Sequence, residues 1–438
     1  MLDPLYTAEE MRAAEAGHDV DELMAKAGRA VAEAALARWP DAESFGAVCG
    51  NGANGGDARI ALEVIRSAGR EAREGLDGDV LLDGLFGTGF RGEPRPEAAE
   101  LIERMNGSGR PVVAVDLPSG VNADTGEVAG VAVRAELTVT MHGRKVGNVV
   151  APGRFHCGEV VVADIGLEPA ETEHHLVTRA ILGLVPRKHA EDNKYTAGHV
   201  LVVGGARGTT GAASLTARAA LRADCGYVTV CCPSESLPVL EALVVEAVKR
   251  PLDEVFEAVG RADALAIGPG LGRSDERREL VRRLLTETAL PAVVDADALF
   301  GLEPFDRAAP TVLTPHAGEL GRLLGEESSW VGAHRLVAAR RCAERFGCVC
   351  LLKGADTLVA APVQGALVTV DGPPSLATAG TGDVLTGVVA SFLAKGLEAR
   401  LAAAAAATAC EAAASLGPPR GLVASDVIAA LPEALDEI

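Results

Sequence analysis

The sequence predicts an α/β protein with two domains, each built around a mostly parallel β-sheet. Short apolar segments of strand length alternate with helical patterns along most of the chain, which is the order expected of parallel sheets covered by helices. Hydrophobic residues make up 48% of the chain and aromatic residues only 3%, a composition typical of close helix–sheet packing. With 438 residues the chain is too long for one ordinary hydrophobic core, so we expect more than one domain.

Charge and cysteine content argue against several classes of protein. The formal net charge of −20 disfavours nucleic acid or an anionic membrane as the main partner. No pair among the nine cysteines has zinc-ribbon spacing, so we expect free thiols in a reducing compartment. Residues 1–15 are acidic and lack an apolar signal core, and the alanine-rich run 401–414 contains Glu411. These features predict a cytoplasmic protein without a membrane span.

The first half contains a glycine-rich turn that follows a short strand. A helix capped by Thr7 and Glu10 is expected to continue through Ala37. The strand at 47–49 then leads into the turn 50–57, which opens another helix, and such strand–turn–helix units approach phosphates closely. The turn does not match GxGxxG followed by a distant acidic residue, so the usual dinucleotide-binding fingerprint is not predicted.

Two further strands end in polar residues that belong near this turn. Asp83 ends the strand that starts at Val80, and Asp116 and Ser119 follow the strand 112–115. Ligands gather beyond the carboxyl ends of parallel strands, so these side chains are predicted to converge on the glycine-rich turn. A single aspartate in such a position is more often a helix cap or turn former. The convergence of three strand ends favours a binding site.

The motifs of the first half resemble those of the NAD(P)H-hydrate epimerase family. NGANGGD, DGLFGTG, VDLPSGVNADTG and KVG (145–147) occur in the family's order. The resemblance covers residues 1–172 and implies a Rossmann-like α/β/α sandwich. It also implies the substrate-binding residues, which are Ala53, Asn54, Gly55, Gly56, Asp57, Gly87, Thr88, Gly89 and Asp116.

The same resemblance implies a catalytic residue and a metal ion. Asp116 is the residue expected to transfer the proton, and a potassium ion (K⁺) is expected on oxygens of Asn54, Asp83 and Ser119. The chain departs from the family in two places. Ala53 replaces an asparagine, and the segment 71–79 is shorter than the strand and helix usually found there. We therefore expect a sheet that lacks this edge unit and an altered nucleotide pocket.

The second half is organised around a glycine-rich turn that carries an aspartate. Gly380 and Gly382 flank Thr381, Asp383 follows, and a helical pattern continues beyond. The N–H groups at a helix start bind anions, and a carboxylate beside them suits a base that takes a proton from a substrate hydroxyl next to a bound phosphate. The plainer alternative is that Asp383 only complements the helix dipole.

Other strand ends in this half add candidates. His316 lies just beyond a strand, where a lone histidine is more often structural. Lys353 follows a strand and precedes a hairpin, in a position to offset phosphate charge. Asp297, in the DADAL motif, is equally compatible with a helix cap.

The motifs of the second half resemble those of the ADP/ATP-dependent NAD(P)H-hydrate dehydratase family. They are KYTAG, VLVVGGARGTTGAA, GPGLG, DADAL, TPHAGEL, LLKGADT and AGTGDVLTG. The resemblance covers residues 185–438 and implies a ribokinase-like fold with Asp383 as the catalytic base. One departure is Asn193-Lys194-Tyr195, where the family has His-Lys-Gly. The implied nucleotide-binding residues are Lys353, Gly354, Ala355, Asp356, Thr357 and Gly382, and the implied substrate-binding residues are Ala212, Gly270, Gly272, His316 and Asp383.

Together the two resemblances imply an enzyme of metabolite repair. The second domain would dehydrate the S form of hydrated NADH or NADPH by phosphorylation and elimination, with ADP or ATP and Mg²⁺, and the first would interconvert the R and S forms. The alternative is a ribokinase-like small-molecule kinase with a non-catalytic N-terminal binding module. We also expect a homo-oligomer. The sequence does not distinguish ADP from ATP, or NADH hydrate from NADPH hydrate.

Overall fold

The computed structural model describes residues 1–436, which divide into two compact units. The smaller unit contains Pro4–His175 together with Gly332–Arg335, and the larger unit contains Met1–Asp3 and most of the chain after His175. Each unit is built on its own sheet, and the neighbouring strands are mostly parallel. The predicted α/β class is therefore confirmed.

The smaller unit has a six-stranded sheet in the order β3-β2-β4-β5-β6-β7, in which every pair is parallel. The first strand of the chain, β1 (Leu2–Leu5), belongs to the larger sheet. The strands of the six-stranded sheet are β2 (Ser44–Cys49), β3 (Glu71–Glu74), β4 (Val80–Gly84), β5 (Val112–Val115), β6 (Leu137–Met141) and β7 (Glu159–Ala163). Its helices are α1 (Ala8–Glu15), α2 (Val20–Arg38), α3 (Ala53–Ser67), α4 (Pro96–Asn106) and α5 (Val146–Val149).

The first helical segment consists of two helices rather than one. Thr7 and Glu10 form the predicted capping box at the start of α1. The helix then ends at Glu15, Gly17 adopts a left-handed φ of 89°, and Asp19 caps α2 by accepting from two backbone N–H groups. The prediction of a continuous helix through Ala37 was wrong because a left-handed glycine and a new cap interrupt it.

The short segment 71–79 retains an edge strand. β3 pairs in parallel with β2, with Ser44 opposite Glu71 and Ala47 opposite Glu74. Residues 75–79 then cross to β4 without a helix. They pass directly over Gly46, where an added Cβ would lie 2.7 Å from the carbonyl oxygen of Gly75. The expected loss of the whole edge unit was therefore wrong, since the structure retains the strand and lacks only the helix.

The larger sheet has eleven strands in the order β1-β8-β17-β16-β15-β14-β13-β12-β9-β10-β11. Its remaining strands are β8 (His174–Val177), β9 (His199–Val203), β10 (Tyr227–Cys232), β11 (Val248–Pro251), β12 (Ala264–Ile267), β13 (Ala292–Val294), β14 (Thr311–Leu313), β15 (Val349–Leu352), β16 (Thr357–Ala360) and β17 (Leu367–Thr369). Pairing is parallel from β11 through to β15. β16 is antiparallel to both β15 and β17.

The helices of this part of the chain alternate with the strands. They are α6 (Thr210–Arg222), α7 (Leu237–Leu243), α8 (Val255–Val259), α9 (Asp275–Glu287), α10 (Ala317–Leu324), α11 (Ser328–Ala333), α12 (Arg335–Phe346), α13 (Thr381–Ala394), α14 (Ala399–Ser415) and α15 (Ala424–Asp436). The carboxyl ends of the parallel strands and the turns that precede α6, α9, α10 and α13 carry the candidate residues.

The core of the larger unit is formed by small aliphatic side chains. The alanines 402–406 of α14 are completely buried, and α14 packs against the strands β14 to β17, so the alanine-rich run is a packed helix as predicted. No helix within residues 1–436 is both long and apolar enough to cross a membrane. All nine cysteines are free thiols, and all but Cys49 are buried.

Two candidate active sites

The first candidate site is a cavity between two glycine-rich segments of the smaller unit. Its volume is about 610 Å³. The turn before α3 and the segment after β4 form its walls, with Ala53 and Asn54 on one side and Gly87, Thr88 and Gly89 on the other. These five residues were predicted to bind substrate. The predicted residues Gly55, Gly56 and Asp57 lie deeper, in the first turns of α3 and outside the cavity lining.

Asp83 and Ser119 are bonded to each other at the strand ends below this cavity. Ser119 donates from its hydroxyl to Asp83 Oδ1 at 2.6 Å and from its backbone N–H to Oδ2 at 2.7 Å. Ser119 Oγ also accepts from the Phe86 N–H at 2.8 Å. Asn54 donates to the carbonyl of Val115 at 2.6 Å, and its Oδ1 faces Gly87. The predicted convergence of strand ends is therefore present.

Asp116 lies in a strained backbone conformation beside a buried lysine. Its φ is 67°, which is uncommon outside glycine and is found where the surrounding structure enforces it. Its Oδ1 accepts from Lys145 Nζ at 2.5 Å and from Thr140 Oγ1 and the Met141 N–H at 3.0 Å. The Lys145 side chain is fully buried. Sequence reasoning noted Lys145 only as part of a motif, and its position just after β6 was the signal for a role at this site.

Two further carboxyls lie close enough to interact with Asp116. Burial, together with the negative charges of Asp116 and Glu15, raises the pKa of Asp57 to about 7. Burial also raises the pKa of Glu15, with Asp116 contributing and Lys145 opposing. Glu15, at the end of α1, was not identified from the sequence. The site thus combines one buried cation with several acidic groups, and Asp57 titrates near neutral pH.

The second candidate site lies at the start of α13 in the larger unit. Gly380 precedes the helix with a left-handed φ of 91°, and an added Cβ there would lie 2.7 Å from Leu215. The first i→i−4 bond of the helix joins the Val384 N–H to the Gly380 carbonyl at 3.1 Å. The N–H groups of Thr381, Gly382 and Asp383 therefore precede the helical ladder, where a helix binds anions.

Asp383 occupies the first turn of this helix and is half-buried. Burial raises the pKa of Asp383 to about 6, with Asp295 and Asp297 contributing and Lys353 opposing. A carboxylate that only complemented the helix dipole would be stabilised in its charged form, and its pKa would fall. The raised pKa is instead suited to a base that works near neutral pH.

Lys353 is fixed beside this turn by a buried aspartate. Lys353 Nζ lies 2.8 Å from Asp295 Oδ1 and 3.9 Å from Glu319 Oε2. Burial opposes the charge on Lys353, but Asp295 and Glu319 outweigh it and raise the pKa of the lysine. An added Cβ at Gly382 would lie 3.4 Å from Lys353 Nζ, so the ammonium group lies close to the helix start. Asp295 begins the DADAL motif, but sequence reasoning gave it no role.

The remaining nucleotide-binding predictions fall in the hairpin between β15 and β16. Gly354 and Ala355 are exposed in the turn, whereas Asp356 and Thr357 are buried. The Lys353 N–H donates to the Pro315 carbonyl at 3.0 Å, which ties this hairpin to the turn that carries His316. The structure therefore brings together the segments predicted to bind nucleotide and substrate.

His316 caps helix α10 but leaves most of its ring exposed. Its Nδ1 accepts from the Gly318 N–H at 3.0 Å, and Glu319 completes a capping box by accepting from the His316 N–H at 2.9 Å. The side chain is 57% exposed. The histidine thus caps a helix, and its exposed ring remains accessible to a ligand.

The glycine loop before α9 packs against the turn before α6. Thr209 Oγ1 donates to the Gly270 carbonyl at 3.0 Å, which places Ala212 close to this loop. The Gly272 N–H donates to Asp297 Oδ2 at 2.9 Å, and Asp297 also pairs with Arg273. Asp297 therefore anchors the loop and does not cap a helix.

Comparison with known proteins identifies the family. A family model described as NAD(P)H-hydrate dehydratase matches residues 200–430, and one described as YjeF-related protein N-terminus matches residues 20–76 and 63–147. The bifunctional NAD(P)H-hydrate repair enzyme Nnr of Coxiella burnetii is 35% identical over 466 aligned residues, 95% of each chain. The chain belongs to the bifunctional NAD(P)H-hydrate repair enzyme family.

Other members of the repair enzyme family and one solved structure agree with this assignment. The enzyme named Nnr of Moorella thermoacetica is 38% identical and covers 87% of this chain and 79% of its own. The ADP/ATP-dependent NAD(P)H-hydrate dehydratase of Bacillus subtilis, co-crystallised with ATP and Mg²⁺, is 26% identical, with a TM-score of 0.54 over 59% of this chain and 96% of its own. The predicted ribokinase-like and Rossmann-like folds are thereby confirmed, since the two family models match the corresponding halves.

The two metal ions predicted from the sequence, K⁺ and Mg²⁺, call for different ligands. Asn54, Asp83 and Ser119 offer amide, carboxylate and hydroxyl oxygens around the segment 83–87, a donor set that suits K⁺. Within residues 1–436, no three or more His, Cys, Asp or Glu side chains are grouped to hold a metal. Mg²⁺ is commonly held by one or two carboxylates together with substrate phosphates, so a Mg²⁺ ion in the larger unit would include the phosphate oxygens of a bound nucleotide among its ligands.

Proposed function

We propose that this chain repairs hydrated NADH and NADPH. The larger unit dehydrates the S hydrate with ADP or ATP, and the smaller unit interconverts the R and S hydrates. The observation that carries the proposal is the placement of Asp383, whose pKa is raised to about 6, in the first turn of α13 beside Lys353. Family membership over most of the chain supports the choice of substrate.

The dehydration begins with transfer of a phosphoryl group to the substrate. Asp383 accepts the proton of the C6 hydroxyl of the hydrated ring, and the hydroxyl oxygen forms a bond to the terminal phosphorus of the nucleotide as the bond to the leaving phosphate breaks. The N–H groups at the start of α13 and the Lys353 ammonium stabilise the negative charge on the oxygens of the phosphoryl group while it is transferred. Mg²⁺ bound to the nucleotide supplies further neutralisation of phosphate charge.

The second step eliminates phosphate. The ring nitrogen lone pair expels inorganic phosphate from C6, and loss of a proton from C5 restores the dihydropyridine. A positioned base contributes roughly 10²–10⁴-fold to the first step. The substrate is proposed to bind to residues of three loops at the same edge of the sheet. These residues are Ala212, Gly270, Gly272 and His316.

In the smaller unit, Asp116 is proposed as the proton-transfer residue. Its ion pair with Lys145 and its bonds to Thr140 and Met141 fix the carboxylate at the carboxyl end of β5. The cavity above it is walled by the two glycine-rich segments expected to hold the nucleotide. K⁺ on Asn54, Asp83 and Ser119 would fix the geometry of the loops and take no part in proton transfer.

A mixture of R and S hydrates tests this assignment. The purified chain is incubated with both hydrates of NADH and with ADP or ATP, and recovery of the reduced-nicotinamide absorbance is followed against a control for spontaneous epimerisation. We expect complete recovery. Recovery of the S fraction alone would contradict epimerase activity and favour a non-catalytic N-terminal module, and no recovery would contradict the dehydratase.

We further propose that the enzyme acts in the cytoplasm as a homo-oligomer. The nine free thiols are compatible with a reducing compartment. Val161 and Val162, on the edge strand β7, are 39% and 40% exposed and offer an apolar surface for a second copy. Light scattering coupled to size exclusion tests the proposal, which a monomer at micromolar concentration would contradict.

A further inference from the structure

We infer that Asp295 is a positioning residue of the dehydratase site, which fixes the Lys353 ammonium against the first turns of α13. The inference rests on the proposed role of Asp383 as the base. Asp295 follows β13, and its backbone N–H donates to the Ile267 carbonyl of β12 at 3.0 Å, so its main chain is fixed to the sheet. The residue is only 1% exposed.

Both carboxylate oxygens of Asp295 are bonded, and their partners lie on different elements. Oδ1 accepts from Lys353 Nζ at 2.8 Å, and Oδ2 accepts from Thr386 Oγ1 at 2.8 Å. Lys353 follows β15, and Thr386 lies in the second turn of α13. The Thr386 hydroxyl also contacts the Gly382 carbonyl, four residues earlier, at 3.1 Å. One buried side chain therefore links the phosphate-binding lysine to the helix that carries the base.

The link defines where a phosphoryl group would lie. Lys353 Nζ lies 3.4 Å from the point where a Cβ on Gly382 would stand, so the ammonium lies beside the first turn of α13. Glu319, at 3.9 Å from Lys353, is a longer contact and also serves in the cap of α10. Asp295 is therefore the closer carboxylate partner of the lysine. A shift of Lys353 by a fraction of an ångström would separate the donors that must bind the phosphate together.

The charge of Asp295 also acts on the base. The charged groups that face Asp383 are Asp295 and Asp297 beyond β13 and Lys353 beyond β15, while Glu319 of α10 faces the lysine. Thr216 of α6 touches Asp383 only through its hydroxyl, which donates to the Asp383 carbonyl at 3.0 Å. Replacing Asp295 with asparagine removes a negative charge that favours protonated Asp383 and leaves the positive charge of Lys353 less compensated. Both changes lower the pKa of Asp383.

The test is the pH profile of dehydratase kcat in Asp295→Asn and wild type, with S hydrate and ATP. We expect kcat at neutral pH to fall by about tenfold or more, because Lys353 is no longer held, and the acid limb to move to lower pH. A structural role alone would lower the melting temperature and the amount of active protein without moving the acid limb. An acid limb at the wild-type pH, in a variant that remains folded, would overturn the inference.

A second pair of variants keeps the test decisive if Asp295→Asn folds poorly. Thr386→Val removes one hydrogen bond to Asp295 without changing its charge, so we expect a lower kcat with an unmoved acid limb. Thr386→Ser keeps the hydroxyl and is expected to recover most of the lost kcat. Equal kcat in the valine and serine variants would contradict the positioning role.

One further variant separates this inference from the proposed function. If Asp383→Asn keeps both its turnover and its acid limb, the proposed base is wrong. If the acid limb of kcat is lost in Asp383→Asn but keeps its wild-type position in Asp295→Asn, only the role of Asp295 is wrong.

Discussion

Lys145 and Asp116 form a buried ion pair in the smaller unit, with Nζ 2.5 Å from Oδ1 and the lysine side chain fully buried. The lysine also donates to the carbonyls of Met141 and Gly143, at 2.8 and 3.2 Å, so its charge is spread over several acceptors. Because a buried ion left without its partner is costly, the pair controls both the stability of this unit and the position of the proposed proton-transfer group.

Lys145→Met is expected to destabilise the smaller unit. The substitution leaves the Asp116 carboxylate buried and unpaired, which costs about 3–5 kcal/mol of unfolding free energy. Denaturant unfolding measures the change. The double variant Lys145→Met/Asp116→Asn carries no unpaired charge and should recover part of the lost stability, although both variants should lack epimerase activity. Equal stability of the single and double variants would show that the pair is not an energetic unit.

Asp57 is expected to make stability fall as the pH rises. Its pKa is about 7 in the folded protein and near its ordinary value of 3.8 when unfolded, so between these values the folded state holds a proton that the unfolded state has released. Raising the pH through this window therefore removes stability. Asp57→Asn should be more stable than wild type above pH 7, by roughly 2–4 kcal/mol. Asp77→Asn, at an exposed position, is the matched control, and the prediction fails if both variants behave alike.

Asp383→Asn is expected to retain nucleotide binding and lose turnover. The amide keeps the shape of the side chain but cannot accept the hydroxyl proton, so kcat should fall by roughly 10²–10⁴-fold while the Kd for ATP changes little. In wild type, kcat should rise with pH through about 6, because the pKa of Asp383 is raised to that value and the base must be deprotonated. Near-normal turnover in the variant would remove Asp383 from the mechanism.

Gly46→Ala is expected to disrupt the helix-free crossover after β3. The new Cβ would lie 2.7 Å from the Gly75 carbonyl and 2.8 Å from that of Asp77, so the backbone must shift, at a cost of about 1–3 kcal/mol. Gly52→Ala is the control, because a Cβ there meets no atom within 4 Å. Thermal unfolding compares the two. An equally small effect at both positions would mean that the crossover adapts freely.

Much of the fold could be predicted because buried parallel strands are continuous apolar runs. The strand at 112–115 was predicted with the bounds that the structure shows. β3 was missed because Glu71–Glu74 is mostly charged and exposed, so only its pairing with β2 makes it a strand. The break between α1 and α2 was missed although Gly17 and Asp19 are residue types that end one helix and cap the next.

The candidate sites could be predicted where glycine-rich turns follow strands, and less well where roles depend on distant partners. Asp383 and Lys353 stand out in their own motifs. The role of Asp295 depends on a lysine 58 residues later in the chain, and that of Lys145 on an aspartate 29 residues earlier. The pKa of Asp57 likewise depends on burial and on neighbouring carboxyls. These relationships are set by contacts between residues that are distant in the chain, so the strand-end positions of Asp295 and Lys145 do not by themselves reveal the partners.

The most direct test of the central claim is to count phosphate and reduced nicotinamide together. Purified S hydrate is incubated with the enzyme and ATP, and inorganic phosphate and the recovered absorbance are measured in the same reaction. The phosphorylation–elimination account predicts one phosphate released for each reduced nicotinamide restored, in wild type and not in Asp383→Asn. Accumulation of a stable phosphorylated product without recovery of absorbance would contradict it and identify a kinase.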